Sequence, residues 1–230
     1  NVFDGNFTNS GTFNGSGTID LTGGLAFSFT NSGTVTSGTI DVSGDLTNSG
    51  TFTSSGAIEV SGDFINSIGG VFTDGGLSNV FLGNLTNAGT YNASGTIDLS
   101  GDFTNSGILT SSGCNINLEG DWDNTGGTYA YFDGDNVTLD GAFTIQDVSG
   151  DTDWFNLTIS PISFFGDAVD FISGTHNIHN IFNIDAGAVS NTGASVVLKS
   201  VAARTAQMDD IGTGSYSGDM TVQRRIEKTQ

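Results

Sequence analysis

From Asn1 to Gly141, apolar residues alternate with Thr, Ser, Asp and Asn in short runs that glycine interrupts. A period of two over short runs marks β-strands, and nothing here keeps the 3.6-residue period of a helix. The runs themselves recur. The phrase Gly-Asp-Phe-Thr-Asn-Ser-Gly returns with small changes. Its first glycine falls at Gly5, Gly23, Gly44, Gly62, Gly83, Gly101, Gly120 and Gly141, about 19 residues apart on average. Aligned on that glycine, three columns are apolar. Two positions after it stand Phe7, Leu25, Leu46, Phe64, Leu85, Phe103, Trp122 and Phe143. Four positions before it stand Ile19, Ile40, Ile58, Asn79, Ile97, Ile116 and Val137. A third column holds Phe13, Val35, Phe52, Phe72, Tyr91, Leu109 and Tyr129.

Like residues at like positions predict an all-β chain folded as a parallel β-helix or β-solenoid. Its coils of about 19 residues would have roughly three sides and stack about 4.8 Å apart. A β-sandwich would not need the same residue type at the same register in every repeat. Regular coils are expected over 1–141 and a degenerate continuation over 142–200, where Phe155, Leu157 and Ile159 still alternate. A β-rich cap, or a linker to a following module, is expected over 201–230. The chain opens inside a coil, since Asn1-Val2-Phe3-Asp4-Gly5 matches Asn79-Val80-Phe81-Leu82-Gly83. An open solenoid end exposes strand edges, so more protein before Asn1, or a packed end, is expected.

The polar columns carry the candidate sites. Asn9, Asn31, Asn48, Asn66, Asn87, Asn105 and Asn124 form one column. Asn tolerates the left-handed turn conformation, and its amide both donates and accepts. The column is either a stacked structural ladder or an outward ligand-binding row. Carboxylates fall in columns too, at Asp20, Asp41, Glu59 and Asp98, and at Asp45, Asp63, Asp102 and Asp121. Stacked like charges repel, so these need solvent or cations, as a hydrated face or a Ca²⁺ row.

Charge narrows the function classes. The 230 residues hold 25 acidic and five basic side chains, for a net charge of −20. All five basic residues, Lys199, Arg204, Arg224, Arg225 and Lys228, lie near the end. So acidic a body repels phosphate backbones, which excludes nucleic acid as a partner. No apolar run approaches the roughly 18 residues of a membrane span. Cys114 is the one cysteine and cannot form an internal disulfide.

The repeated phrase, the Trp154-Phe155-Asn156-Leu157-Thr158-Ile159 segment, and Val197-Leu198-Lys199-Ser200 followed by Gly218-Asp219-Met220-Thr221-Val222-Gln223-Arg224-Arg225-Ile226 resemble large secreted proteins of Bacteroidetes. In those proteins such repeats lie upstream of adhesin-like modules and a C-terminal type IX secretion signal. The resemblance implies a secreted or cell-surface segment, with neighbouring modules of a larger chain as partners. It brings no catalytic residues.

Candidate chemistry is sparse. A lyase would need Lys or Arg beside the substrate, and the coils hold none. Acid pairs such as Asp121 with Asp123 fit a hydrolase only by abundance. No catalytic residue is therefore assigned, and the chain is expected not to be an enzyme. His176 and His179, on a strand or turn, should point to opposite faces rather than share a metal. Ca²⁺ is the one cofactor considered, at Asp147, Asp151 and Asp153 or at Asp133 and Asp135, with a hydrated acidic loop as the alternative. Thr12, Thr34, Thr36, Thr51, Thr53 and Thr90 flank the third apolar column as a partial Thr-x-Thr array, a pattern that could order water on an ice-binding face. Val71, Ile108 and Ala130 interrupt it, and Asn14 and Asn92 replace Thr twice. Tyr131 and Trp154 are aromatic candidates for stacking on an extracellular glycan, or equally for the core. The leading expectation is a non-catalytic stalk, filament element or adhesin scaffold.

Overall fold

The computed structural model describes residues 1–24, 26–142, 145–161, 167–200, 204–209 and 211–223. Those residues form strands and no helix, in three parallel sheets wound as a β-solenoid. Each regular coil visits sheet I, sheet II and sheet III in turn. Sheet I has eleven strands and begins at Phe7–Asn9. Sheet II has seven, from Thr12–Asn14 to Thr128–Ala130. Sheet III has twelve on its main path, from Ile19–Leu21 to Met220–Gln223.

Register explains the columns. Asn66 pairs with Asn48 below and Asn87 above, and Phe72 lies between Phe52 and Tyr91. Each strand is only a few residues long, so its hydrogen bonds go to the coils above and below rather than to a partner in its own coil. The apolar columns point inward and fill the prism. Rings stack edge to face along it, Phe29 on Phe52 at 5.3 Å and Phe72 on Tyr91 at 5.2 Å. Such pairs add about 0.5–1.5 kcal/mol each beyond the area they bury. At the corner between sheets I and II the backbones nearly touch. A Cβ built on Gly107 would stand 2.1 Å from the Gly89 carbonyl oxygen, so that corner admits no side chain.

Two inward slots differ from the column read off the glycine phrase. Phe29, not Leu25, pairs with Phe7 and Leu46, and Val148, not Phe143, pairs with Trp122. Leu25 and Phe143 lie outside the described residues. Coil length is the reason. Asn9 and Asn31 are 22 residues apart, but Asn31 and Asn48 only 17, because extra residues follow Gly23.

Beyond Ala130 the cross-section changes. Sheet II stops, while sheets I and III continue. Thr152–Ile159 and Thr175–Ile184 are single strands of 8 and 10 residues, in place of the short strand, corner and short strand of earlier coils. A register shift between Trp154 and Asn156 absorbs the mismatch. The core enlarges here around Trp122, Trp154, Phe171 and Phe182. Gln207–Met208 pairs with the long strand Thr175–Ile184, off the main path.

Candidate functional site

The Asn column points inward and is buried along its length. Each Nδ2 donates to Oδ1 of the next Asn at 2.7–2.9 Å. The same amides donate to the carbonyl opening the sheet II strand of the next coil, as Asn66 does to Thr90 at 2.9 Å and Asn87 to Ile108 at 3.0 Å. The column is thus a ladder that also pins the corner between sheets I and II. No outward ligand row exists at these positions. The ladder ends where Asn124 donates to the Asp151 carbonyl at 2.6 Å, because Gly150 occupies the next slot.

A second ladder runs beside sheet I, on carboxylates and amides at its edge. Asp45 Oδ1 accepts the Asp63 main-chain N–H at 2.9 Å, and Asp63 Oδ1 accepts that of Asn84 at 2.8 Å. Asn84, Asp102 and Asp121 continue it at 2.9, 3.0 and 2.8 Å. This column therefore has a structural use, as acceptors for the coil above. Stacking has an electrostatic cost. Burial raises the Asp121 carboxyl above its ordinary range; the hydrogen bond from the Asp147 N–H opposes this, and the charges of Asp102 and Asp147 add to it. On sheet III, burial and then Glu59 and Asp20 raise Asp41.

The proposed calcium ligands have other partners. Asp147 takes the last rung of that second ladder through its main-chain N–H, which does not engage its carboxylate, whereas the other four carboxylates have partners. Asp151 Oδ1 accepts the Thr175 N–H at 2.8 Å, and Asp153 Oδ1 accepts from Asn177 Nδ2 at 2.6 Å. Asp133 binds the Arg204 guanidinium in a forked pair, and that guanidinium lies 4.6 Å from the centre of the Phe155 ring. Asp135 is buried and accepts from the Gly113, Cys114 and Phe132 N–H groups and from the Tyr129 hydroxyl. Among the described residues no group of three His, Cys, Asp or Glu side chains is placed to hold a metal ion.

Asp74 is the counterpart of Asp135 that the repeat pattern did not reveal. It accepts from the Gly76 and Ser94 N–H groups and from the Ser94 and Tyr91 hydroxyls. Burial raises its carboxyl, and these hydrogen bonds oppose the shift. Burial, with Asp74 nearby, also holds the Tyr91 phenol well above its usual value. Cys114, buried in the same corner, has its thiol pushed up to about 11 by burial. The sequence did carry a trace of these pairs. Tyr91 and Tyr129 are the two hydroxyl-bearing residues in an otherwise apolar inward column, and each needs a buried acceptor.

The histidines take separate places. His176 lies in the core against Phe171, its ring 5.0 Å from the phenyl ring, and burial lowers its pKa to about 4. His179 packs on Tyr131 at 5.0 Å, with Nε2 3.7 Å from Asp153 Oδ1. Trp154 is wholly buried, which removes it as a sugar-stacking platform. Tyr131 is half-buried between His179 and Phe155. A groove of about 240 Å³ opens where sheet II ends, lined by Thr128, Asp151, Thr152, Asp153, Thr175 and Asn177 among others.

On sheet II the outward columns line up coil on coil. Thr12, Thr34 and Thr51 stand in one, with Thr90 further along it, and Thr36 and Thr53 stand in the other. The structure adds Thr73, Thr110 and Thr128 to this array. None of the seven strands contains a charged residue.

No family model, no curated protein and no solved structure matches the chain.

Proposed function

We propose that the chain is a non-catalytic, load-bearing β-solenoid segment of a large secreted or cell-surface protein, a stalk, filament element or adhesin scaffold between neighbouring modules. The internal Asn ladder carries this reading. It ties six successive coil steps through buried side-chain bonds, in addition to the main-chain ladders of three sheets. Bonds of this kind strengthen in a low-dielectric interior and make separation of coils cooperative. The acidic edge columns support the same reading, because their carboxylates accept main-chain N–H groups of the next coil instead of facing one another across a cleft. Export by a type IX route from a Bacteroidetes cell belongs to the proposal on the strength of the repeat phrases alone. Single-molecule pulling between the chain ends tests it. Stepwise rupture at a force that Asn66→Ala lowers is the expected record. Rupture at an unchanged force in Asn66→Ala would remove the load-bearing role from the ladder.

A further inference from the structure

The outer face of sheet II is unlike the rest of the surface. A protein of net charge −20 places no charged residue on any of these seven strands. Sheet III instead presents Asp20, Asp41, Glu59 and Asp98 outward along its strands. Every sheet II strand is in parallel register with its neighbours, so two outward columns repeat with each coil. Strands lie about 4.8 Å apart, and alternate residues along a strand about 6.6 Å. The result is a two-dimensional lattice of threonine hydroxyls and methyls. Val71 and Ile108 interrupt the hydroxyls but keep a β-branched methyl at their lattice points, and Asn14, Asn92 and Ala130 take the three other points that are not threonine. Among the described residues, Thr73 alone uses a hydroxyl of this face in a hydrogen bond, accepting from Asn92 Nδ2 at 3.1 Å. The remaining hydroxyls face solvent.

We infer that this face binds ice. Its chemistry selects the occupant. Without charge it offers nothing to an ionic partner. Without an outward aromatic ring it offers no platform to a sugar. What it does present is a repeat in two directions, and a lattice is recognised by another lattice. Water held between threonine methyls and bonded to their hydroxyls would sit at intervals close to those of oxygen atoms on faces of hexagonal ice. Rigidity comes from below, because the inward residues of the same strands are the stacked Phe52, Phe72 and Tyr91. The role is independent of whether the solenoid bears load.

The test is nanolitre osmometry on the purified chain, reading crystal habit and the gap between melting and freezing. Faceted crystals and a measurable gap are expected. T51K/T53K at the centre of the face should abolish both, while Thr104→Lys on the outer face of sheet I should leave both unchanged. Melting followed by circular dichroism reports folding. Should T51K/T53K fail to fold, Thr36→Lys on an adjacent coil takes its place. Round crystals with no gap from the folded parent would overturn the inference. So would activity that survives the face variants or is lost in Thr104→Lys. Sedimentation of the parent as a dimer that T51K/T53K makes monomeric would also overturn it, by assigning the face to a second copy of this chain.

Discussion

Coils before Ala130 and coils after it are built from the same strands of sheets I and III, yet only the earlier ones have three sides. The two halves differ at one corner. In the earlier coils a buried Asn at the end of each sheet I strand donates to the carbonyl that opens sheet II in the next coil. Gly150 takes that slot after Asn124, in the left-handed region at φ +79°. The Asn ladder and sheet II end together. The comparison teaches that the third side is held by side-chain bonds at its corner, and that without them the chain runs on as one long strand. The later coils then rely on bulk, with Trp154 and His176 filling the space beyond Trp122.

Asn66→Ala should break this contrast most severely. It leaves the Asn87 Oδ1 buried without a donor and removes one acceptor from Asn48 Nδ2, which keeps its bond to the Val71 carbonyl, a cost of about 2–4 kcal/mol by urea denaturation. Asn136→Ala, in an exposed amide row on sheet III, should stay within about 0.5 kcal/mol. Equal losses would dissolve the distinction between inner and outer amides.

Acid should separate the halves. His176 is held neutral, its folded pKa of about 4 lying below the ordinary 6.5. The unfolded chain therefore binds its proton first. Stability from this residue is lost as pH falls below 6.5, by about 3 kcal/mol once pH 4 is reached. Asp41, Asp74 and Asp121 have raised folded values, so protonation relieves them as pH falls through those values. Hydrogen-exchange protection, corrected for intrinsic rate, should thus fall over Thr175–Ile184 between pH 7 and about 5 while holding or rising over Ile40–Val42. His176→Phe should remove most of the fall, with His179 on the same strand, also lowered by burial, supplying the rest. Uniform change along the rod would contradict the assignment.

Gly150→Ala should cost about 1–3 kcal/mol from the positive φ and a Cβ placed 2.3 Å from the Asn124 carbonyl carbon. A neutral result in a thermal melt would mean that the corner has more room than its geometry indicates. The smallest effect is a gain. Asn79 occupies an Ile slot, wholly buried, with neither amide atom hydrogen-bonded. Asn79→Ile should stabilise by about 1–2 kcal/mol, read as a higher urea midpoint.

The solenoid was legible because stacking forces equivalent residues into columns. The Asn ladder was legible for the same reason, and its inward direction followed from the need of buried amides for partners. Leu25 and Phe143 misled because loops of unequal length displace the glycine phrase from the strand it introduces. Phe29 and Val148 could be found only by aligning on the strands. Asp74 escaped, and Asp135 looked like a calcium ligand, because most of their donors are main-chain N–H groups of turns, which carry no period. Trp154 stayed open between surface and core because nothing in its local sequence announces that sheet II has ended and left a space to fill.

Every amide in the inner column donates in the same sense, from Asn9 toward Asn124. The column is therefore polar along the axis, with aligned dipoles like those of a helix. A coil grafted onto either end would have to be threaded in the same orientation. An inverted graft would set amide oxygen against amide oxygen at the Asn9 end and amide N–H against amide N–H at the Asn124 end.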